Sequence, residues 1–326
     1  MQVMVTGSNG FIGSALVERL LREGVKVTCL VRKTSQLHWL KDLPVRFVYG
    51  ELSDSDSIIP AVEDADIIYH LAGVTKAKDS EGYFLGNYQA TLNLLDASLK
   101  HGSEQQKIVF VSSQAAGGPS FDGKPITEDC EARPVSVYGQ SKLMAEEAVI
   151  DFNQYRPTTV IRPPSVYGPR DKDIYVFFKQ VSKGLLPLPG AGTQKVSMVH
   201  VDDLVEGIWL AGQSPKANGR LFYISGDGEY DWQTIGRLVA RALNKRPLTV
   251  HIPIWLVDVV SCLSIGAAKM QGKPALLNRD KVREMKRVAW VCSNARAKIE
   301  LGFSPKVCLE EGIAATAAWY REMGWL

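Results

Sequence analysis

Short apolar runs alternate with helical patterns through the first half of the chain. Strand-like, β-branched segments fall near residues 2–6, 25–31, 45–49, 66–71, 107–112 and 158–162. Helical patterns near 11–23, 54–63, 83–101 and 136–152 lie between them. Such alternation predicts right-handed βαβ units and therefore a parallel sheet. The expected fold class is α/β, a Rossmann-type doubly wound parallel sheet followed by a smaller, mostly helical C-terminal part.

After about residue 165 the rhythm loosens into a Pro/Gly-rich stretch, LLPLPGAGTQ at 185–194. A strand and helix at 198–213 and a strand at 221–225 come next, and then mostly helix. Residues 1–165 are expected to bind a cofactor, with 198–225 returning to that unit, and 166–326 to form the substrate side. The last helical stretch, LEEGIAATAAWYREMGWL, has apolar spacing suited to packing. No internal repeat interrupts this order.

The chain has 326 residues, ample for a buried core. Lys plus Arg number 38 against 35 Asp plus Glu, a net charge of +3, too slight to point to nucleic acid as the main partner. Cys29, Cys130, Cys262, Cys292 and Cys308 form no C-x-x-C pair, and an odd count suits a reduced, cytosolic setting better than a disulfide framework. The opening MQVMVTGSNG runs straight into a strand and a glycine loop, so no signal peptide is expected. The five histidines lack metal-ligand spacing, and no metal site is expected.

The strand VMVT leads into Gly7-Ser8-Asn9-Gly10-Phe11-Ile12-Gly13, a G-x-x-G-x-x-G loop opening a helix. Glycines allow the tight turn and the close approach of a pyrophosphate to the helix N-terminus. About twenty residues later an NAD site usually offers an acid to the ribose 2′-hydroxyl. Here Arg32 and Lys33 stand in that place. A guanidinium there can clasp a 2′-phosphate, so the expected cofactor is NADP rather than NAD.

Tyr138 and Lys142 are four apart in VYGQSK and share one helical face. A nearby ammonium favours the charged form of a phenol, which would tune Tyr138 as a general acid or base. Gly139 weakens that helix by roughly 1 kcal/mol relative to Ala, which makes sense if a ligand or another backbone comes close; the ligand is the expected reason. The strand KIVFVSS ends in Ser112 and Ser113 at the sheet edge where ligands of open α/β sheets bind. Ser113 could hold a substrate oxygen beside the phenol.

Taken together these residues resemble the extended short-chain dehydrogenase/reductases. The resemblance covers nearly the whole chain: T-G-x-x-G-x-x-G at Thr6–Gly13, GELSD at 50–54, HLAG at 70–73, Asn87 ahead of TLNLLDA, VSS at 111–113, Tyr138 and Lys142, RPPSVYGPR at 162–170 and VHVDDL at 199–204. It implies that Tyr138 is the catalytic acid/base, that Lys142 lowers its pKa and holds the nicotinamide ribose, and that Ser113 partners the substrate oxygen. It also implies cofactor contacts at Leu52, at Leu71, Ala72 and Gly73, at Asn87, and at Pro163 and Val166. Glu51 stands where the family often has Asp, which leaves its adenine contact open.

Nucleotide-sugar members of that family often carry Asn before V-Y-G-P and Arg ahead of V-H-V, where this chain has Ser165 and Val196. With Arg32 these departures look more like the dihydroflavonol-reductase and 3β-hydroxysteroid-dehydrogenase branch. The implied reaction is hydride transfer to or from a ketone or secondary alcohol on a bulky substrate, whose skeleton in that branch is often apolar. An epimerase or dehydratase with bound NAD(P) is the alternative, and a non-catalytic cofactor-binding protein is the third reading. Homodimers are common in the resembling family. The apolar run IPIWLVDVVSCLSIGAA at 252–268 contains Asp258 and falls short of a comfortable membrane span. It fits a buried helix, a lid or an interfacial helix, and with the basic residues of 269–287 it could touch an anionic membrane.

Overall fold

The computed structural model describes residues 1–271, 279–287 and 289–326. Six strands, β1 (Gln2–Thr6), β2 (Lys26–Val31), β3 (Arg46–Tyr49), β4 (Ile67–His70), β5 (Lys107–Val111) and β6 (Thr158–Arg162), are joined by Arg220–Tyr223 in one seven-stranded sheet. All its pairings are parallel, and the order is β3-β2-β1-β4-β5-β6 followed by Arg220–Tyr223. The direction of winding reverses between β1 and β4, which opens a crevice at their carboxyl ends.

Why the inner strands are apolar throughout follows from the layers. The Phe11–Arg22 and Val201–Gln213 helices cover one face with Leu16, Leu20, Leu204 and Ile208. On the other face, Ser55–Val62, Ala90–His101 and Val137–Phe152 supply Ile58, Leu94 and Val149. A parallel sheet covered on both faces has no polar side to show, so β4 and β5 read as unbroken buried runs. A third apolar cluster joins the Asp173–Ser182, Trp232–Ala242 and Leu309–Glu322 helices around Phe178, Val239 and Tyr320.

Two expectations are corrected. The segment expected as one helix over 83–101 is broken into Ser80–Tyr83, a π-helical turn at Phe84–Gln89 and Ala90–His101. The wide turn coincides with side chains that bond backbone: Asn87 accepts from the Val74 amide at 2.7 Å and donates to the Val74 carbonyl, and Thr91 donates to the Asn87 carbonyl at 2.6 Å. The Pro/Gly-rich stretch is not loose throughout. Leu185–Pro189 is a strand, paired in parallel with Leu248–Ile252 in a separate two-stranded sheet whose outer edges tolerate proline.

The apolar run lies in a helix, Ile254–Gln271, followed by the Arg279–Met285 helix. Among the described residues no helix is long and apolar enough to cross a membrane. Of the basic residues expected in this region, Lys273 lies outside the described residues, as do the side chains of Lys269 and Arg279. Cys29, Cys130, Cys292 and Cys308 are free thiols, and the Cys262 side chain also lies outside the described residues.

Candidate active site

The glycine loop forms at the carboxyl end of β1. Gly7 has φ +65°, and a Cβ there would lie 2.8 Å from the Ala72 amide nitrogen. A Cβ on Gly13 would strike the Gly7 carbonyl oxygen at 2.1 Å. Both positions therefore need glycine to bring the loop, its helix and the turn after β4 together. Gly10 begins the helix with no side-chain cap, so no side chain of the cap competes for the first-turn amides at Phe11, Ile12 and Gly13. Asn9 is half-buried in the same loop.

A buried hydrogen-bond chain ties this cradle to the π-turn. Thr6 Oγ1 accepts from the amides of Leu71 and Ala72 and meets His70 Nδ1 at 2.8 Å. His70 Nε2 meets Thr91 Oγ1 at 3.0 Å, and Thr91 spends its proton on the Asn87 carbonyl. The donors and acceptors close only if His70 carries its proton on Nε2 and accepts from Thr6 on Nδ1. Burial, aided by the charge of Lys142, pulls His70 down to about 3, so the ring stays neutral. Asn87 Nδ2 then reaches Ser141 Oγ at 2.9 Å, joining the chain to the helix that carries Tyr138.

Residues at neighbouring strand ends complete the crevice rim. Arg32 and Lys33 follow β2, exposed, in a turn closed by Ser35: the Arg32 amide donates to Ser35 Oγ and the Ser35 amide to the Arg32 carbonyl. Neither side chain is ion-paired among the described residues, so both are available to an anion. Glu51 and Leu52 follow β3, where the Leu52 carbonyl accepts from Asn93. Pro163 and Val166 follow β6, and the Pro163 carbonyl accepts from the Gln114 amide at 2.8 Å. Gly73 sits against Asn87 Oδ1 and within 3.8 Å of Lys142 Nζ, measured from where its Cβ would be.

The Val137–Phe152 helix starts at Ser136, whose hydroxyl accepts from the Gly139 amide at 3.1 Å. Tyr138 is half-buried, with its ring centroid 6.1 Å from that of Tyr83. Ser113 caps the short Gln114–Gly117 helix by accepting from the Ala115 amide. Lys142 is buried; its Nζ donates to the Val111 carbonyl at 2.9 Å and lies 4.1 Å from the Phe110 ring centroid. Beside them Ser112 Oγ and Gln114 Nε2 are buried without hydrogen-bond partners among the described residues, which suits a polar ligand at this end of β5.

Two expectations for this helix do not hold. The phenol is not pulled down overall: burial pushes Tyr138 up to about 12, opposed by Ser113 and helped by Glu284, Tyr83 and Glu146. The same dry setting pulls Lys142 down to about 7, opposed by Glu146. Gly139, for its part, does not make room for a ligand. A Cβ there would lie 2.3 Å from the Ala115 carbonyl oxygen, so the glycine lets the helix press on the backbone after Ser113.

Three contributors escaped the sequence reading. Glu146 continues the Tyr138–Lys142 spacing by another four residues and grips Arg162, at the end of β6, with both carboxylate oxygens; Arg162 also donates to Tyr223. Asp280 Oδ2 accepts from the Val137 amide at 3.0 Å, capping the helix one residue before Tyr138. Tyr83 stands beside the phenol. The i, i+8 spacing could have exposed Glu146, whereas Asp280 is 143 residues from its partner and carries no local signal.

Comparison with known proteins identifies the family. Residues 3–225 match the NAD dependent epimerase/dehydratase family. A ceramide reductase of Caulobacter vibrioides is 28% identical over 99% of this chain and 96% of its own length. The mouse (Mus musculus) decarboxylating sterol-4-alpha-carboxylate 3-dehydrogenase is 26% identical, over 98% and 91% respectively. The crystal structure of Thermus thermophilus UDP-glucose 4-epimerase complexed with NAD superposes with TM-score 0.80 at 26% identity, covering 98% of this chain and 99% of that one. With the glycine cradle at the switch point of a parallel sheet, and the family match running from the first strand through the seventh, the chain belongs to the NAD-dependent epimerase/dehydratase family of extended short-chain dehydrogenase/reductases.

Proposed function

We propose that the protein is an NADPH-dependent reductase of ketones on bulky, largely apolar molecules, with Tyr138 as proton donor. The observation that carries this reading is the position of Tyr138, one helical turn from the buried Lys142 and at the end of β5 where Ser112 Oγ and Gln114 Nε2 lack partners among the described residues. A phenol is protonated at neutral pH and can give that proton to a carbonyl oxygen, which is what reduction requires. When bound, the nicotinamide supplies the hydride.

The chain's own groups divide the remaining work. Ser113 orients the carbonyl oxygen beside the phenol. Lys142, one helical turn on, stabilises the phenolate that forms as the proton leaves and holds the ribose. The loop at Gly7–Gly13 takes the pyrophosphate, and the Leu71–Gly73 turn and Asn87 flank the cofactor. Arg32, assisted by Lys33, takes the 2′-phosphate, which favours NADP over NAD. The unpartnered Ser112 Oγ and Gln114 Nε2 fit polar groups of the ligands.

The epimerase alternative needs a place for a sugar nucleotide's diphosphate. Val196, where such members often have arginine, is buried in the apolar cluster of the C-terminal helices and offers no charge. Relatives that act as a ceramide reductase and a sterol carboxylate dehydrogenase support a lipid-like substrate instead. The test is a panel of long-chain and steroid ketones alongside UDP-glucose. Stoichiometric loss of NADPH absorbance with the ketones is expected; an isomerised sugar nucleotide without net cofactor use would overturn the reading.

A further inference from the structure

We infer that the protein docks on anionic lipid surfaces through Trp255, Leu256, Val259 and Val260, on the outward face of the first two turns of the Ile254–Gln271 helix, and through the two-stranded sheet beside it. This goes beyond the reductase reading and does not depend on turnover. In an ordinary surface helix the apolar stripe faces the core and the polar residues face water. Here the first two turns are inverted. Trp255, Leu256, Val259 and Val260 point outward, Trp255 with 66% of its surface exposed, while Val257 and the hydroxyl-bearing Ser261, 2% exposed, point inward.

The adjoining sheet also exposes apolar side chains. Leu185 and Leu248 are paired across its two strands, and Leu248 is 68% exposed. The Gly190 backbone connects the two: its amide donates to the Ile252 carbonyl, and Ile254 Cδ1 lies 3.7 Å from where its Cβ would be. Helix and sheet are therefore joined at Gly190, and each exposes apolar side chains of its own.

Charge selects the occupant. The Arg279–Met285 helix and the turn after it pack beside the apolar helix, pinned by Lys286 to Asp258 at 3.0 Å. Lys281 and Arg283 are 63% and 60% exposed and each reaches back at 3.3 Å to a more buried acid, Glu284 and Asp280, whose side chains are 17% and 15% exposed. Arg287 is also exposed. An apolar face with an indole, bordered by outward cations, matches an interface of acyl chains and anionic headgroups better than a second, equally basic copy of this chain.

Asp280 also caps the helix that carries Tyr138, so the docking surface and the reaction site are separated by one helix.

Cosedimentation of the full chain with vesicles tests the proposal, using phosphatidylcholine alone and phosphatidylcholine mixed with phosphatidylglycerol. Binding to the mixed vesicles, weakened by salt and nearly absent for the neutral ones, is expected. Trp255→Glu should weaken it at least about tenfold, since burying such a side chain is worth more than a decade. Arg287→Glu should lower it by roughly fivefold or more. Circular dichroism and NADPH fluorescence confirm that each variant is folded; if Trp255→Glu is not, Arg287→Glu and the salt dependence carry the test. No vesicle binding, equal binding to neutral vesicles, or a concentration-dependent dimer lost in Trp255→Glu without vesicle binding would each overturn the proposal. Because no turnover is read, such a failure leaves the reductase reading standing.

Discussion

Gly139→Ala separates two explanations for the glycine that follows Tyr138. The added methyl carbon would begin 2.3 Å from the Ala115 carbonyl oxygen and 3.1 Å from Pro134 Cβ, and real contacts begin only beyond 3.0 Å. The obstruction is backbone on an element capped by Ser113, so it cannot be relieved by turning a flexible side chain. The Val137–Phe152 helix or the Gln114–Gly117 turn must move apart by most of an ångström. Tyr138 and Ser113 sit on opposite sides of that contact. A misplacement of about 1 Å in reacting groups can lower the rate about a hundredfold. Alanine also favours the helix by about 1 kcal/mol, which works against the clash in stability but not in geometry. Purified Gly139→Ala should therefore bind NADPH normally by fluorescence titration, show a kcat down by about two orders of magnitude, and gain no thermal stability. Wild-type kcat with a raised melting temperature would refute the backbone explanation. Weakened NADPH affinity with unchanged kcat at saturation would instead restore the idea that the glycine makes room for a ligand.

Arg32→Asp should narrow or reverse a preference for NADPH over NADH, measured as the ratio of dissociation constants; equal affinities in the unaltered protein would contradict the role given to Arg32. Lys142, normally charged to about pH 10, is pulled down to about 7 by burial, so its ammonium is present below that point and lost above it. Reductive kcat should accordingly fall as pH rises through about 7, and a kcat profile flat well into the alkaline range would count against Lys142 as the phenolate's support. Glu146→Gln leaves the Arg162 guanidinium buried without its carboxylate, which should destabilise the protein by about 3–5 kcal/mol in denaturant titration. An unchanged midpoint would show that the pair adds little.

Much of the fold is legible because parallel strands buried on both faces leave apolar runs that stand out between helices. β1 to β6 fall within a residue or so of where those runs are, and the glycine loop sits where Gly7 and Gly13 alone permit its contacts. Local spacing also brought Tyr138 and Lys142 to one helical face. What depends on distant partners was not legible. The π-turn at Phe84–Gln89 rests on Asn87 meeting Val74, and the cap on the catalytic helix comes from Asp280, far along the chain. The direction of the Tyr138 shift depends on how deeply the phenol and Lys142 are buried, which spacing does not reveal. Gly139 shows the same limit: a glycine inside a helix signals a close approach, but only the packed structure shows that the Ala115 carbonyl makes it.

The central claim is that Tyr138 delivers the proton in a net, NADPH-consuming reduction. Its most direct test is a single-turnover experiment with the NADPH complex and a ketone substrate, comparing the unaltered protein with Tyr138→Phe. The account predicts that Tyr138→Phe binds NADPH with the same affinity, because only the phenol oxygen is removed, yet oxidises it about a hundred to ten thousand times more slowly, the usual worth of a positioned proton donor. Oxidation of NADPH at the unaltered rate in Tyr138→Phe would contradict it.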